Sequence, residues 1–98
     1  MPYAVAIEFS LNPDTVDDAA RAIRDMLETT RNFDGNESTE VLIDTDDNTR
    51  WVISERWASA DAYAKYRDYR SGEGKVTGLA PHVLSSTRRT FEVRGTDS

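Results

Sequence analysis

The chain predicts an α+β domain whose elements run β-α-β-β-α-β. Three patterns carry that reading: a strict two-residue alternation at the start, two helical stretches each preceded by a capping residue, and two alternating segments joined by a polar turn. Helices set between strands, with one hairpin in the middle, give the split βαβ, ferredoxin-like arrangement. Its sheet is four-stranded and antiparallel, with both helices on one face.

Residues 2–11 alternate cleanly: Tyr3, Val5, Ile7, Phe9 and Leu11 on one face; Ala4, Ala6, Glu8 and Ser10 on the other. A second face this small is suited to being covered as well. Asn12-Pro13-Asp14 opens a helix, with Asn12 as cap, Pro13 at the first helical position, and Asp14, Asp17 and Asp18 at the positive end. Val16, Ala19, Ala20, Ile23, Met26 and Leu27 keep helical spacing, so the helix is expected over 13–30, followed by a turn at 32–36 containing Asp34-Gly35. Strands are expected over 38–44 and 50–57, joined by Thr45-Asp46-Asp47-Asn48. Ser59 caps a second helix from Ala60 to about Tyr69. Residues 71–81, with Gly72, Gly74, Gly78 and Pro81, read as a loop with one helical turn near 76–79. His82 to Val93 is the last strand. The domain spans 1–94, and 95–98 is a polar tail.

Composition narrows the chemistry. The 98 residues carry a net charge of −6 and no cysteine, which removes disulfides, thiolate metal sites and cysteine nucleophiles. His82 is the single histidine, so no His-rich metal site forms within one chain, and none is expected. An acidic chain is a poor nucleic-acid partner. No apolar run approaches the ~18 residues of a membrane span. The N-terminus has no basic, apolar leader, so the expected location is cytoplasmic. Leu, Ile, Val and Phe number only 19, a thin core that a second copy of the chain would complete.

Several residues are candidates for function, each with a plain structural alternative. Glu55 shares a strand face with Trp51, Ile53 and Trp57; buried there, it is either paired with an arginine such as Arg31 or is a base of raised pKa. His82 is a strand-end capping group or the base, since it alone has an unperturbed pKa near neutrality. Tyr63, Tyr66 and Tyr69, at i, i+3 and i+6, either pack in the core or wall a pocket for a flat aromatic ligand. Trp51 and Trp57 pose the same choice. Arg88 and Arg89 point to opposite faces of the last strand, so one of them can enter a cavity and stabilise a phenolate. The candidate catalytic set is therefore His82, Glu55 and Tyr66; the binding set is Trp51, Trp57, Tyr63, Tyr69 and Arg88. Asp44-x-Asp46-x-Asn48 with Glu55 copies calcium-loop spacing, but Thr49 stands where glycine is needed and the flanks read as strands, so a solvated turn is expected.

The middle of the chain resembles the antibiotic biosynthesis monooxygenase family. The residues are Thr30-Arg31, Asp34-Gly35, Val41-Leu42-Ile43-Asp44, the run Trp51-Val52-Ile53-Ser54-Glu55-Arg56-Trp57-Ala58-Ser59, and Ala62-Tyr63-Ala64-Lys65-Tyr66. Glu55-Arg56-Trp57-Ala58-Ser59 is the most specific part. Two departures stand out: Asp34 replaces the proline before the turn glycine, and Tyr66 stands where members usually place a histidine. The resemblance implies a homodimer, a dimeric α+β barrel in which two sheets face each other, with a pocket in each subunit between sheet and helices. It implies oxidation of a small aromatic, polyketide-type phenolic substrate by O2 with no cofactor. A non-redox polyketide cyclase or isomerase, or a non-catalytic ligand-binding dimer, is the alternative on the same fold. Tyr66 at the histidine position disfavours haem degradation.

Overall fold

A computed structural model describes residues 2–95; the end of the expected polar tail, 96–98, lies outside the described residues. The order is β1 (Tyr3–Leu11), α1 (Val16–Asn32), β2 (Asn36–Ile43), β3 (Arg50–Trp57), α2 (Ala60–Ser71) and β4 (Val83–Glu92). Short 3-10 turns at Pro13–Thr15 and Ala80–His82 precede α1 and β4. The sheet runs β2-β3-β1-β4 with every pair antiparallel, the expected ferredoxin-like α+β topology.

Register follows the alternation. Val5 faces Glu55 across β3 and Thr90 across β4, and Ile7 faces Ile53 and Arg88. The odd-numbered residues of β1 and β3 point to the helices; Val5, Leu11, Ile53 and Trp57 are essentially sealed there. The even-numbered residues of β1 and β3 form the opposite, open face, shared by Leu42, opposite Val52, and Phe91, opposite Ala4, which are 50% and 42% exposed.

Two clusters make the core. Leu11, Ile23, Leu27, Trp51, Ile53 and Leu79 join α1 to the sheet. Val5, Trp57, Tyr63 and Tyr66 join α2 to it. The helices cover the sheet unevenly: α1 lies against β2 and α2 against β3, while all of β4 after Val83 stays exposed. That uncovered strip borders a cleft.

The element ends differ modestly from the sequence reading. Asn12 does cap, accepting from the Asp14 amide at 2.9 Å, but the first turn is 3-10, and α1 begins at Val16 and runs on to Asn32. Gly35, at φ 93°, makes the turn that follows; a Cβ there would come within 2.5 Å of the Ala62 Cβ. The helical turn expected at 76–79 forms instead at Ala80–His82, so His82 precedes β4 rather than opening it. The acidic hairpin is a set of side-chain-closed turns: Asp44 accepts the Asp46 amide, and Asp47 accepts the amide and hydroxyl of Thr49.

Candidate functional site

The α2 face turned to the sheet reads Tyr63, Tyr66, Arg67, Arg70. This i, i+3, i+4, i+7 spacing makes one stripe on a helix of 3.6 residues per turn. Opposite it stand Ile7 and Phe9 from β1, Glu55 from β3, and Ser86 and Arg88 from β4. Met26 of α1 and Lys75 and Val76 of the following loop close the ends. Together they line a cleft of about 650 Å³ between sheet and helices.

Glu55 is 2% exposed overall, at the cleft's inner wall. Its Oε1 accepts from the Trp57 indole nitrogen at 2.9 Å, which fixes the carboxylate, and Oε2 has no hydrogen-bond partner among the described residues. Burial pushes the Glu55 pKa up; the Trp57 hydrogen bond and the cations of Arg70, Arg67 and Arg88 oppose that push without cancelling it. The Tyr63 hydroxyl is likewise raised by burial, with Arg88 and Arg67 pulling the other way. At neutral pH Tyr63 is therefore a neutral phenol, able to donate a hydrogen bond but not to act as a base.

Tyr66 is held by a closed network. Its hydroxyl lies 2.7 Å from the buried Thr30 hydroxyl and accepts from Arg70 Nε at 2.9 Å. The Thr30 proton goes to the Met26 carbonyl, so the Tyr66 proton goes to Thr30. Arg70 also donates to the Gly74 and Met26 carbonyls and to Thr30, tying α2, α1 and the loop together. The Tyr66 ring thus faces the cleft while its proton is committed to the scaffold. Trp57 lies behind this wall, packed at a tilt against Tyr66 at 4.8 Å and Tyr63 at 5.6 Å between ring centres.

The structure brings Glu55, Tyr63, Tyr66 and Arg88 of the expected site residues together in the cleft, with Trp57 supporting from behind. It places the other three elsewhere. His82 Nδ1 sits 2.9 Å from the Thr15 hydroxyl, and its carbonyl accepts from the Asn12 amide. Asn12, just past the end of β1, is seven residues from Val5, the partner of Glu55, about 23 Å at strand rise. His82 and Glu55 therefore do not converge on one atom. Trp51 packs in the α1 core and donates to the Asn48 carbonyl. Tyr69 falls outside the stripe because i+6 lies about 120° round the helix from Tyr63; it packs on Phe33 and lines a separate shallow groove with Asp25 and Asn32. Arg67, Arg70, Lys75 and Met26 are cleft residues that the sequence reading passed over; the i+4 and i+7 positions after Tyr63 were the signal for the two arginines.

The sequence profile of the antibiotic biosynthesis monooxygenase family matches residues 2–70. A search among curated proteins finds no match. The fold is similar to that of SnoaB, a cofactor-independent oxygenase from Streptomyces nogalater, at TM-score 0.84 and 15% identity, covering 97% of this chain and 95% of that one. It is also similar to Rv0793 from Mycobacterium tuberculosis, at TM-score 0.81 and 22% identity over 100% of both chains. A conserved protein from Methanosarcina mazei Go1 superposes at TM-score 0.85 with 10% identity, over 96% of this chain and 94% of that one. Identities this low speak for the shared fold alone, whereas the profile match covers most of the sequence. The chain belongs to the antibiotic biosynthesis monooxygenase family.

Proposed function

We propose that the protein is a cofactor-independent oxygenase of flat phenolic, polyketide-type substrates, working as a homodimer with one cleft per subunit. Glu55 carries this reading: a sequestered carboxylate, oriented by an indole N–H, with one oxygen unbonded in a cleft walled by aromatic rings. Its raised pKa brings it closer to that of a phenol or an acidic ring CH2, so taking a proton costs less than for a solvated carboxylate. The anion that remains can reduce O2 directly. Oxidising a ring CH2 to C=O removes four electrons; one oxygen atom joins the carbon and the other leaves as water, so no external reductant is needed. Arg88, at the same cleft, suits a developing negative charge. Membership of the family and the likeness to SnoaB support an oxygenase over a cyclase.

The test is O2 consumption with 1,8-dihydroxy-9-anthrone, corrected for its spontaneous oxidation. Enzyme-dependent O2 uptake with quinone formation is expected, reduced by about 10²-fold or more in Glu55→Gln. Conversion of a polyketide substrate without O2 would transfer the cleft to a cyclase or isomerase. An unaltered rate in Glu55→Gln would remove Glu55 from the role of base.

A further inference from the structure

We propose that the substrate carries a carboxylate, held at the mouth of the cleft by Arg67, Lys75 and Arg88. This rests on the cleft being the substrate site, and narrows the substrate from a neutral aromatic to an aromatic acid.

The chain holds 18 acidic and 12 basic residues, yet the cleft inverts that balance. Arg67, Arg70, Lys75 and Arg88 line it, with Glu55 the one carboxylate among the lining residues. The ion pairs among the described residues, Arg21 with Asp18 and Arg94 with Glu92, lie elsewhere, so no described carboxylate neutralises these cations at contact distance. Arg70 spends its donors on Tyr66, Thr30 and two carbonyls. Arg88 reaches the Tyr63 hydroxyl with part of its fork, and Arg67, Lys75 and the rest of the Arg88 guanidinium face the open side of the cleft. Glu55, fixed by Trp57 on the inner wall, feels these arginines but forms no ion pair with any of them.

Like charges that converge repel one another, and an incoming anion relieves that repulsion while gaining charge-assisted hydrogen bonds. A planar carboxylate on an aromatic ring matches both halves of the cleft: a guanidinium fork for the acid and the Tyr63, Tyr66 and Phe9 rings for the ring system. Lys75 and Arg88 lie beyond the segment matched by the family profile, so this charge belongs to the chain's own C-terminal part.

The matched probes are 9-anthracenecarboxylate and 9-anthracenemethanol, which share a ring system and differ in charge. Binding is read at pH 7.5 by the anisotropy of each probe's own fluorescence. The carboxylate is expected to bind about tenfold tighter or better than the alcohol, a preference that shrinks in 0.5 M salt. The triple variant R67Q/K75Q/R88Q should lose most of the preference, its affinity for the carboxylate falling to that for the alcohol, and Arg24→Gln, on the exposed side of α1, should keep it. Equal affinity for the two probes overturns this proposal and leaves the aromatic cleft standing. So does a preference that survives in the triple variant, since the anion would then sit elsewhere. Failure of both probes to bind overturns the proposal together with the reading of the cleft as a substrate site.

Discussion

Glu55 sets two opposed demands on one position, and its pH behaviour follows from them. A carboxylate on the buried face of β3 loses hydration, and that loss outweighs the help it receives from Trp57 and three arginines, so its pKa is raised in the fold. The folded chain then holds the Glu55 proton more tightly than the unfolded chain does. The corresponding stability is fully present below the ordinary value of 4.5 and is lost as pH rises through the raised value. Glu55→Gln keeps an acceptor for the Trp57 indole and removes the buried charge. The variant is therefore expected to lack this decline, and above it to be at least as stable as the parent, in urea unfolding across pH 4–8. The proposed oxygenase activity should be lost over the same range. A variant clearly less stable than the parent at pH 7 would mean that the arginines hold Glu55 as an ion pair. The sequence already showed Glu55 on an apolar strand face; it could not show that Trp57, two positions on, would supply the hydrogen bond. That bond depends on side-chain rotamers that a period-2 pattern does not encode.

Elements were legible where periodicity is strong and less so where turns depend on tertiary contact. β1, β3 and the order of the whole sheet follow from alternation, and Ser59 caps α2 as its position implies, accepting from the Ala62 amide at 3.1 Å. The face of α2 was harder: three tyrosines at a spacing of three draw attention to themselves, but the cleft follows the 3.6-residue period through Arg67 and Arg70. The loop after α2 was legible as a loop and not as a wall, because Lys75 and Val76 are brought to the cleft by side-chain contacts with the end of α2. Arg70 holds the Gly74 carbonyl at 3.0 Å, and Gly74 packs so close to Tyr69 that a Cβ would come within 2.0 Å of its ring. The turn between α1 and β2 illustrates the same coupling with a sharper test. Gly35 combines a positive φ with the close approach of Ala62, so it joins the start of β2 to α2. Gly35→Ala pays for both the backbone and the clash, and should cost about 2 kcal/mol or more in urea unfolding. The same substitution at Gly78, also at positive φ but with nothing within 4 Å of a Cβ, carries only the backbone part and should cost about 1 kcal/mol. Equal losses at the two sites would show that Ala62 yields without cost.

The whole molecule is a two-layer slab, 43 × 34 × 19 Å, with helices on one side of the sheet and nothing among the described residues on the other. Its Cα radius of gyration, 13.9 Å, exceeds the roughly 12.6 Å expected of a compact domain of this length. The open face mixes charge with apolar area: Leu42 on one edge strand and Phe91 on the other stand half in water, with the small residues Ala4 and Ala6 of β1 between them. Small central side chains let another sheet approach closely, and apolar groups toward both edges gain most when it does. A second copy placed by two-fold symmetry presents the same pattern in reverse, the condition for a closed, self-complementary interface. Sedimentation at about 10 µM should therefore report a particle of twice 11.0 kDa. The double variant L42E/F91E would place four buried, unpaired carboxylates across the proposed interface, a cost that an association of standard size does not withstand. It should sediment as a folded monomer, with the cleft residues in place, because every one of them comes from the same chain and none from the open face. Probe binding should then persist in the monomer. A parent that sediments at 11.0 kDa would leave the face to some other covering. A dimer unaffected by L42E/F91E would move the interface to another surface, of which the exposed strand β4 is the nearest.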